Sequence, residues 1–318
     1  MSRSLNEQER KALIEVIPQA EADTPLAAQL SIDARRRIEL SGRQFERPNS
    51  TRVITVANQK GGVGKTTSAV NLAAGLAIGG LKVLVIDLDP QGNASTALGL
   101  RRESGTPSTY EVLIESRPLT EVVQVSPEAP GLFGVPATID LAGAEIELVP
   151  LVSRETRLRR AIADHQKQLS EQGEEPFDYV LIDCPPSLGL LTVNAFAAGD
   201  EVLVPIQCEY YALEGVSHLL KAVDLFRKHI NPELHVSTIL MTMFDGRTNL
   251  SQQVVAEVQN YFPNQVLKTK IPRSVRVSEA PSYGKTVMTY DPSSSGALAY
   301  LEAARELSSS VVEKAQAA

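Results

Sequence analysis

Cysteine is scarce in this sequence. Its 318 residues include two, Cys184 and Cys208, too few for a disulfide framework and without the spacing of metal ligands. A reducing, cytoplasmic setting is the expectation. No apolar run approaches the roughly 20 residues needed to span a bilayer. The opening stretch MSRSLNEQERKALIEV lacks the sustained apolar core of a secretory signal. Basic excess is missing too: the net charge is −7 and the pI near 5.3, which over the whole chain speaks against a nucleic-acid binder but leaves room for a local basic surface. Internal repeats are absent. One glycine is also lacking where a pattern calls for it. The stretch ANQKGGVGKTTSAVNLA would satisfy the phosphate-loop pattern G-x-x-x-x-G-K-[ST] only with glycine at position 59, which holds Gln59. In its place the loop carries a second lysine, Lys60, before Gly61 and Gly62.

The remainder is ordinary for a globular protein, at 43% hydrophobic and 22% charged residues. The length suits one large domain with appendages or two small domains. Residues 1–50 read as a flexible or partly helical arm, in which eight basic and eight acidic residues balance. Two helical patterns, LNEQERKALIEVI and AAQLSIDARRRIEL, carry too few apolar residues to build a core. From residue 51 to 318 the pattern is that of one domain. β-rich runs at 52–57, 82–87, 179–183, 201–206 and 236–243 alternate with periodic segments such as TTSAVNLAAGLAIG, YALEGVSHLLKAVDLFRKHI and NLSQQVVAEVQNYF. Nearly all-apolar strands separated by helices predict an α/β fold, a doubly wound, mainly parallel sheet with helices on both faces. Ligands bind such sheets at the carboxyl ends of the strands. The Pro-, Gly- and Ser-rich segment 100–150 reads as connecting structure.

The run after 52–57 is strand, glycine-rich turn, then helix, which aims backbone N–H groups and a helix dipole at polyphosphate. Gly61, Gly62 and Gly64 permit close approach of phosphate, and Val63 completes the turn. Lys65 is placed to reach the β- and γ-phosphates, Thr66 to ligate Mg²⁺, and Thr67 to donate near the α-phosphate. YVLIDCPP ends its strand in Asp183, the expected carboxylate for Mg²⁺ through water. VLVIDLDPQGN offers Asp87 and Asp89, each either a chemical group or a turn or cap residue; Asp89, just past the strand end, is the better placed to orient water. A cation supplied across an interface adds about 10³ to 10⁵ in rate in phosphoryl transfer. Lys60, at the mouth of the loop, is a candidate for that role.

KGGVGKTT together with DLDPQGNAS, VLIDCPPSLG, CEYYALEG, MFDGRTNLSQQV and IPRSVRVSEAPSYGK resembles the ParA (Soj-like) family of partitioning ATPases, with the deviant Walker A P-loop. The similarity covers about residues 52–310. It implies a P-loop NTPase that binds ATP and Mg²⁺ and forms an ATP-dependent sandwich homodimer. Lys60 then contacts the partner subunit's phosphates, Lys65 and Thr66 hold phosphate and metal, Asp183 supports the metal, and Asp89 is needed for hydrolysis. It further implies nonspecific binding of double-stranded DNA, stimulation of hydrolysis by ParB and DNA, a cytoplasmic, nucleoid-associated location, and segregation of the chromosome origin. The positions matching the family's DNA-binding arginines are Arg247 and Arg276, with Arg273 a further candidate. Residues 241–290 hold six basic residues against three acidic ones, which gives the acidic chain a local basic surface. The arm exceeds the shortest family members. Its DTPLAAQ and RRRIEL stretches are candidate contacts to DNA, ParB or a polar scaffold protein, or braces of the dimer.

Other classes share the loop. A membrane-cycling ATPase of the MinD type relies on a basic amphipathic C-terminal helix, and ARELSSSVVEKAQAA offers little of that, so no membrane partner is expected. A reductase of the nitrogenase iron-protein type needs cysteines at the dimer axis, and Cys184 and Cys208 do not match. An ATPase that positions another cargo, a plasmid or a protein cluster, would carry the same core.

Overall fold

Strand β1, Arg52–Val56, lies inside the sheet, where four of its five residues, apolar or β-branched, are buried. The computed structural model describes residues 7–17, 25–210 and 212–316. Arg3, the start of DTPLAAQ and Tyr211 of CEYYALEG lie outside them. Six further strands follow: β2 (Val83–Asp87), β3 (Gln124–Val125), β4 (Leu132–Val135), β5 (Tyr179–Asp183), β6 (Glu201–Gln207) and β7 (His235–Thr242). They align in the order β3-β4-β2-β5-β1-β6-β7. Every pairing is parallel except that of β3 with β4.

Alternate residues of each central strand serve two different cores. Ile54, Val83, Val85 and Leu181 face the layer built by helices Lys65–Ile78 and Ser295–Gln316. Val53, Leu84, Ile86, Val180 and Ile182 face the layer of helices Arg157–Glu171, Leu190–Ala198, Ala212–His229 and Asn249–Tyr261. With helices covering both faces, the strands read as continuous apolar runs. The chain is a doubly wound α/β protein with the architecture of a P-loop NTPase.

The segment 100–150, expected to be connecting structure, contributes two strands. β4 is four residues with a glycine, and a Cβ on Gly134 would press on the Leu100 methyls, which pack directly over it. β3 has two residues and forms the antiparallel edge, too short to leave a periodic signal.

The arm holds two helices, Glu7–Val16 and Pro25–Leu40, and the three arginines of its RRR run are each engaged by other segments. Arg36 forms a two-pronged pair with Glu302 on the C-terminal helix. Arg37 donates to the carbonyls of Pro292 and Ser293, and Arg35 to that of Ile17. Leu40 and Phe45 are buried, and the Phe45 amide donates to the Gly79 carbonyl at 2.8 Å. A Cβ on Gly79 would strike the Phe45 ring, so this glycine is needed for the arm to lie close.

Candidate functional site

Register places the chemistry. β2 and β5 align with Asp87 opposite Asp183, and β1 aligns Val56 with Asp183. The carboxyl ends of three adjacent strands therefore deliver two carboxylates beside the loop that follows β1.

That loop turns on Gly62 (φ 75°) and Gly64 (φ 89°), both left-handed, and Gly64 caps the helix Lys65–Ile78 without any side-chain hydrogen bond. The amides of the first helical turn thus lack a protein side-chain acceptor at the cap, and an anion would complete them. A Cβ built on Gly61 or Gly62 would meet no protein atom within 4 Å, so the space above them is open. Val63 is buried, and its carbonyl accepts from the Thr242 hydroxyl of β7 at 2.9 Å.

The two lysines diverge. Lys65 is 8% exposed, and its Nζ donates to the Lys60 carbonyl at 3.2 Å. Burial lowers its pKa, opposed by Asp183, Cys184 and Asp89. The Lys60 side chain is 40% exposed and its Nζ lies 3.5 Å from Glu209 Oε2. Glu209 also lies 3.8 Å from Arg273 and accepts from the Gln207 amide. Sequence reasoning misses Glu209, since nothing in CEYY announces a contact with a residue so far back in the chain.

Asp183 is fully buried, and neither carboxylate oxygen has a hydrogen-bond partner. Burial first, then the charge of Asp87, pushes its pKa well above the usual carboxylate range. The Thr66 hydroxyl nearby opposes that rise, Asp89 adds to it, and Lys65 opposes it. An uncompensated buried carboxylate is costly and calls for a cation. The donor set of Asp183 and Thr66 beside a phosphate cradle fits Mg²⁺, which takes one or two carboxylates plus substrate oxygens.

Asp87 and Asp89 divide their tasks. Asp87 accepts from the Ser95 amide (2.8 Å), the Ser95 hydroxyl (2.6 Å) and the Asp89 amide (3.1 Å). It is the turn-and-cap residue of the pair, and burial raises its pKa to about 6. Asp89 is half-buried and spends one oxygen on the Gln91 amide at 3.0 Å.

Beside Gly64 and Thr67 opens a cleft of about 250 Å³ walled by Met243, Ile271, Pro272 and Val277. Met243 sits at φ 53°, an uncommon backbone for a non-glycine residue, right at this wall. Buried Asn71 ties the phosphate-loop helix to the segment at Val287: it donates to the Thr67 carbonyl one turn back (2.7 Å) and accepts from the Val287 amide (2.8 Å). Asn71 leaves no cue in the sequence, where it reads as one more helical position.

The arginines separate. Arg247 and Arg273 line one open groove with Lys268, Lys270 and the arm residues Asp33 and Arg36. Arg247 is held by Asp245 in a two-pronged pair at 2.7 and 2.9 Å. Arg276 does not line this groove; it lies 3.2 Å from Glu279 and 3.5 Å from Asp291. Both cysteines are buried, and burial holds them as thiols, Cys208 pushed up to about 11. Among the described residues no helix is long and apolar enough to cross a membrane.

An AAA domain family (AAA_31) matches residues 51–236. The sporulation initiation inhibitor protein Soj of Bacillus subtilis (strain 168) is 51% identical over 256 residues, 80% of this chain and 98% of that protein. The chain belongs to the ParA/Soj family of chromosome-partitioning proteins. ParA of Myxococcus xanthus (strain DK1622) is likewise 51% identical over 256 residues, 80% of this chain and 87% of its own. Among solved structures, cobyrinic acid a,c-diamide synthase from Mycobacterium smegmatis, with bound ATP analog and magnesium, superposes with a TM-score of 0.69 at 38% identity, covering 82% of this chain and 95% of that one. Both of these relatives are more similar in sequence than this synthase, which shares the fold.

Proposed function

We propose that this chain is an ATP-hydrolysing partition switch, which pairs around ATP, binds double-stranded DNA without sequence preference, and is reset by ParB-stimulated hydrolysis. The observation that carries this reading is the divergence of the two lysines. One loop holds a buried ammonium that donates to the loop's own backbone and a partly exposed ammonium paired with Glu209.

In this reading the ATP phosphates lie on the amides of residues 61–67, and Lys65 leaves the Lys60 carbonyl for the β- and γ-phosphate oxygens. The apolar cleft beside Thr67 receives the base, with Ile271, Pro272 and Val277 against its faces. Thr66 and Asp183 hold Mg²⁺, which neutralises charge on the phosphates. Asp89 orients the attacking water with the oxygen that Gln91 does not occupy. Lys60 leaves Glu209 for the nucleotide of the partner subunit, where a cation is worth about 10³ to 10⁵ in rate. Arg273 adds to Arg247, Lys268 and Lys270 on the surface offered to DNA. Arg276 contributes from its own position. The domain is residues 51–318, with residues 1–50 braced against it. The switch works in the cytoplasm on the nucleoid, and its cargo is the chromosome origin.

ATPase activity with and without DNA and cognate ParB tests this. Weak basal turnover raised synergistically by both is expected, and turnover indifferent to both would contradict it.

A further inference from the structure

Helix Arg157–Glu171 turns one face, Arg157, Arg160, Ala161, Asp164, His165 and Gln168, toward the segment that follows helix Thr109–Ile114. Helical spacing keeps these side chains on one side. Ser116, at φ 58°, turns the chain out of the shorter helix. Between the two elements lies a cavity of about 260 Å³ that shares no lining residue with the phosphate loop or the cleft beside it. Val112, Leu119 and Ala161 give it an apolar wall. By volume it suits a molecule of about one ring.

The charges of this wall do not balance. Arg157 donates to the carbonyls of Leu113 and Ile114 and to Ser116 Oγ, all neutral oxygens, and no hydrogen bond occupies its Nη1. Arg160 has neither an ion pair nor a hydrogen bond among the described residues. Arg117 pairs with Glu115 at 3.3 Å. With Asp164 counted, three arginines stand against two carboxylates, and one positive charge is left over. Glu111 serves the other end of its helix, where Ser108 donates to it at 2.7 and 2.8 Å. Arg159, exposed on the longer helix, adds to the positive side.

A polar atom of the wall also lacks a partner. His165 is 6% exposed, and its Nδ1 is buried with no hydrogen bond, a state that calls for one. Phe177 covers one flank of the ring, with centroids 5.8 Å apart, so a partner has to come from the cavity side. Burial first, then Lys82, lowers the pKa of His165 against the pull of Glu174, which keeps the ring neutral at pH 7.

We propose that this cavity binds a small-molecule anion of about one ring, its carboxylate or phosphate on Arg157 and Arg160 and its apolar body on Val112, Leu119 and Ala161. The probes are benzoate and phenyl phosphate, with benzamide as the uncharged isostere of benzoate, titrated at matched pH and ionic strength with MgADP filling the phosphate loop. The chain has four histidines. Substituting the exposed His218, His229 and His235 one by one with Gln assigns their NMR signals and leaves the fourth imidazole to His165. At least one anion should shift the His165 signal saturably, with a Kd of about millimolar, as suits so small a ligand. A carboxylate or phosphate preference names the head group, and either one supports the site. Benzamide should bind at least about tenfold more weakly, and Arg160→Gln should weaken the anion by a similar factor with its melting temperature unchanged. No saturable shift of His165 with either anion would overturn the proposal. So would benzamide binding as well as benzoate, or Arg160→Gln binding as well as the parent. Neither readout depends on ATP turnover.

Discussion

Lys65 Nζ lies 3.2 Å from the carbonyl of Lys60, while the ammonium of Lys60 itself sits 3.5 Å from Glu209. The loop's two cations are thus tied to one another through the backbone and separated in the direction they serve. Replacing Gln59 by the usual glycine would not create this arrangement. It depends on Lys60, whose amide is held by the Asn58 side chain at 3.0 Å.

Lys65→Ala should abolish ATP binding, measured by titration with a fluorescent ATP analogue, because the buried ammonium is the cation inside the cradle. Tight binding retained by this variant would remove Lys65 from the phosphate site.

Asp89→Ala should leave chains that bind ATP and DNA but turn over about 10² to 10³ more slowly, the size of a missing positioning or general-base contribution. Asp87→Ala should instead lower thermal stability, since it strips three hydrogen bonds from the turn that holds Ser95. Equal effects on turnover and melting from the two variants would contradict the division of tasks.

Asp183→Asn should stabilise the nucleotide-free protein by about 1–3 kcal/mol at neutral pH while removing Mg²⁺-dependent hydrolysis, because it discharges a buried group that no protein atom satisfies. Raised folded pKa values mean that the folded chain binds protons which the unfolded chain releases. The nucleotide-free protein should therefore lose stability as pH rises from about 4 through about 6, where Asp87 titrates, and on through the still higher range of Asp183. The dependence of melting temperature on pH across that window should be flatter for Asp183→Asn. A destabilised variant would contradict the reading of Asp183 as an uncompensated charge.

Arg247→Glu and Arg273→Glu should weaken DNA binding together and reduce the salt slope by about one for each phosphate no longer neutralised. Arg276→Glu, away from their groove, should weaken it while sparing dimerisation. Unchanged affinity in all three would place the DNA surface elsewhere.

The core was legible because buried parallel strands leave long apolar runs, and each of the five runs picked out overlaps a strand. The loop was legible because Gly62, Gly64, Lys65 and Thr66 are close neighbours in sequence, so their chemistry is local. What escaped is what long-range packing decides. Leu100 packs against Gly134 of β4, and Asn71 joins Thr67 to Val287 across more than two hundred residues. Glu209 matters through Lys60 and Arg273, which flank it at great sequence distance on either side. The RRR run looks outward on composition, yet its arginines reach Ile17, Glu302 and Pro292. Charge runs in sequence do not say which way they face.

The central claim is that Lys60 serves a nucleotide other than its own subunit's. Sedimentation equilibrium of Asp89→Ala and Asp89→Ala/Lys60→Ala in MgATP tests it most directly. The first should sediment at twice the chain's 34.4 kDa, and the second at the monomer mass with ATP affinity within a few-fold of the first. Equal dimerisation by both would contradict it.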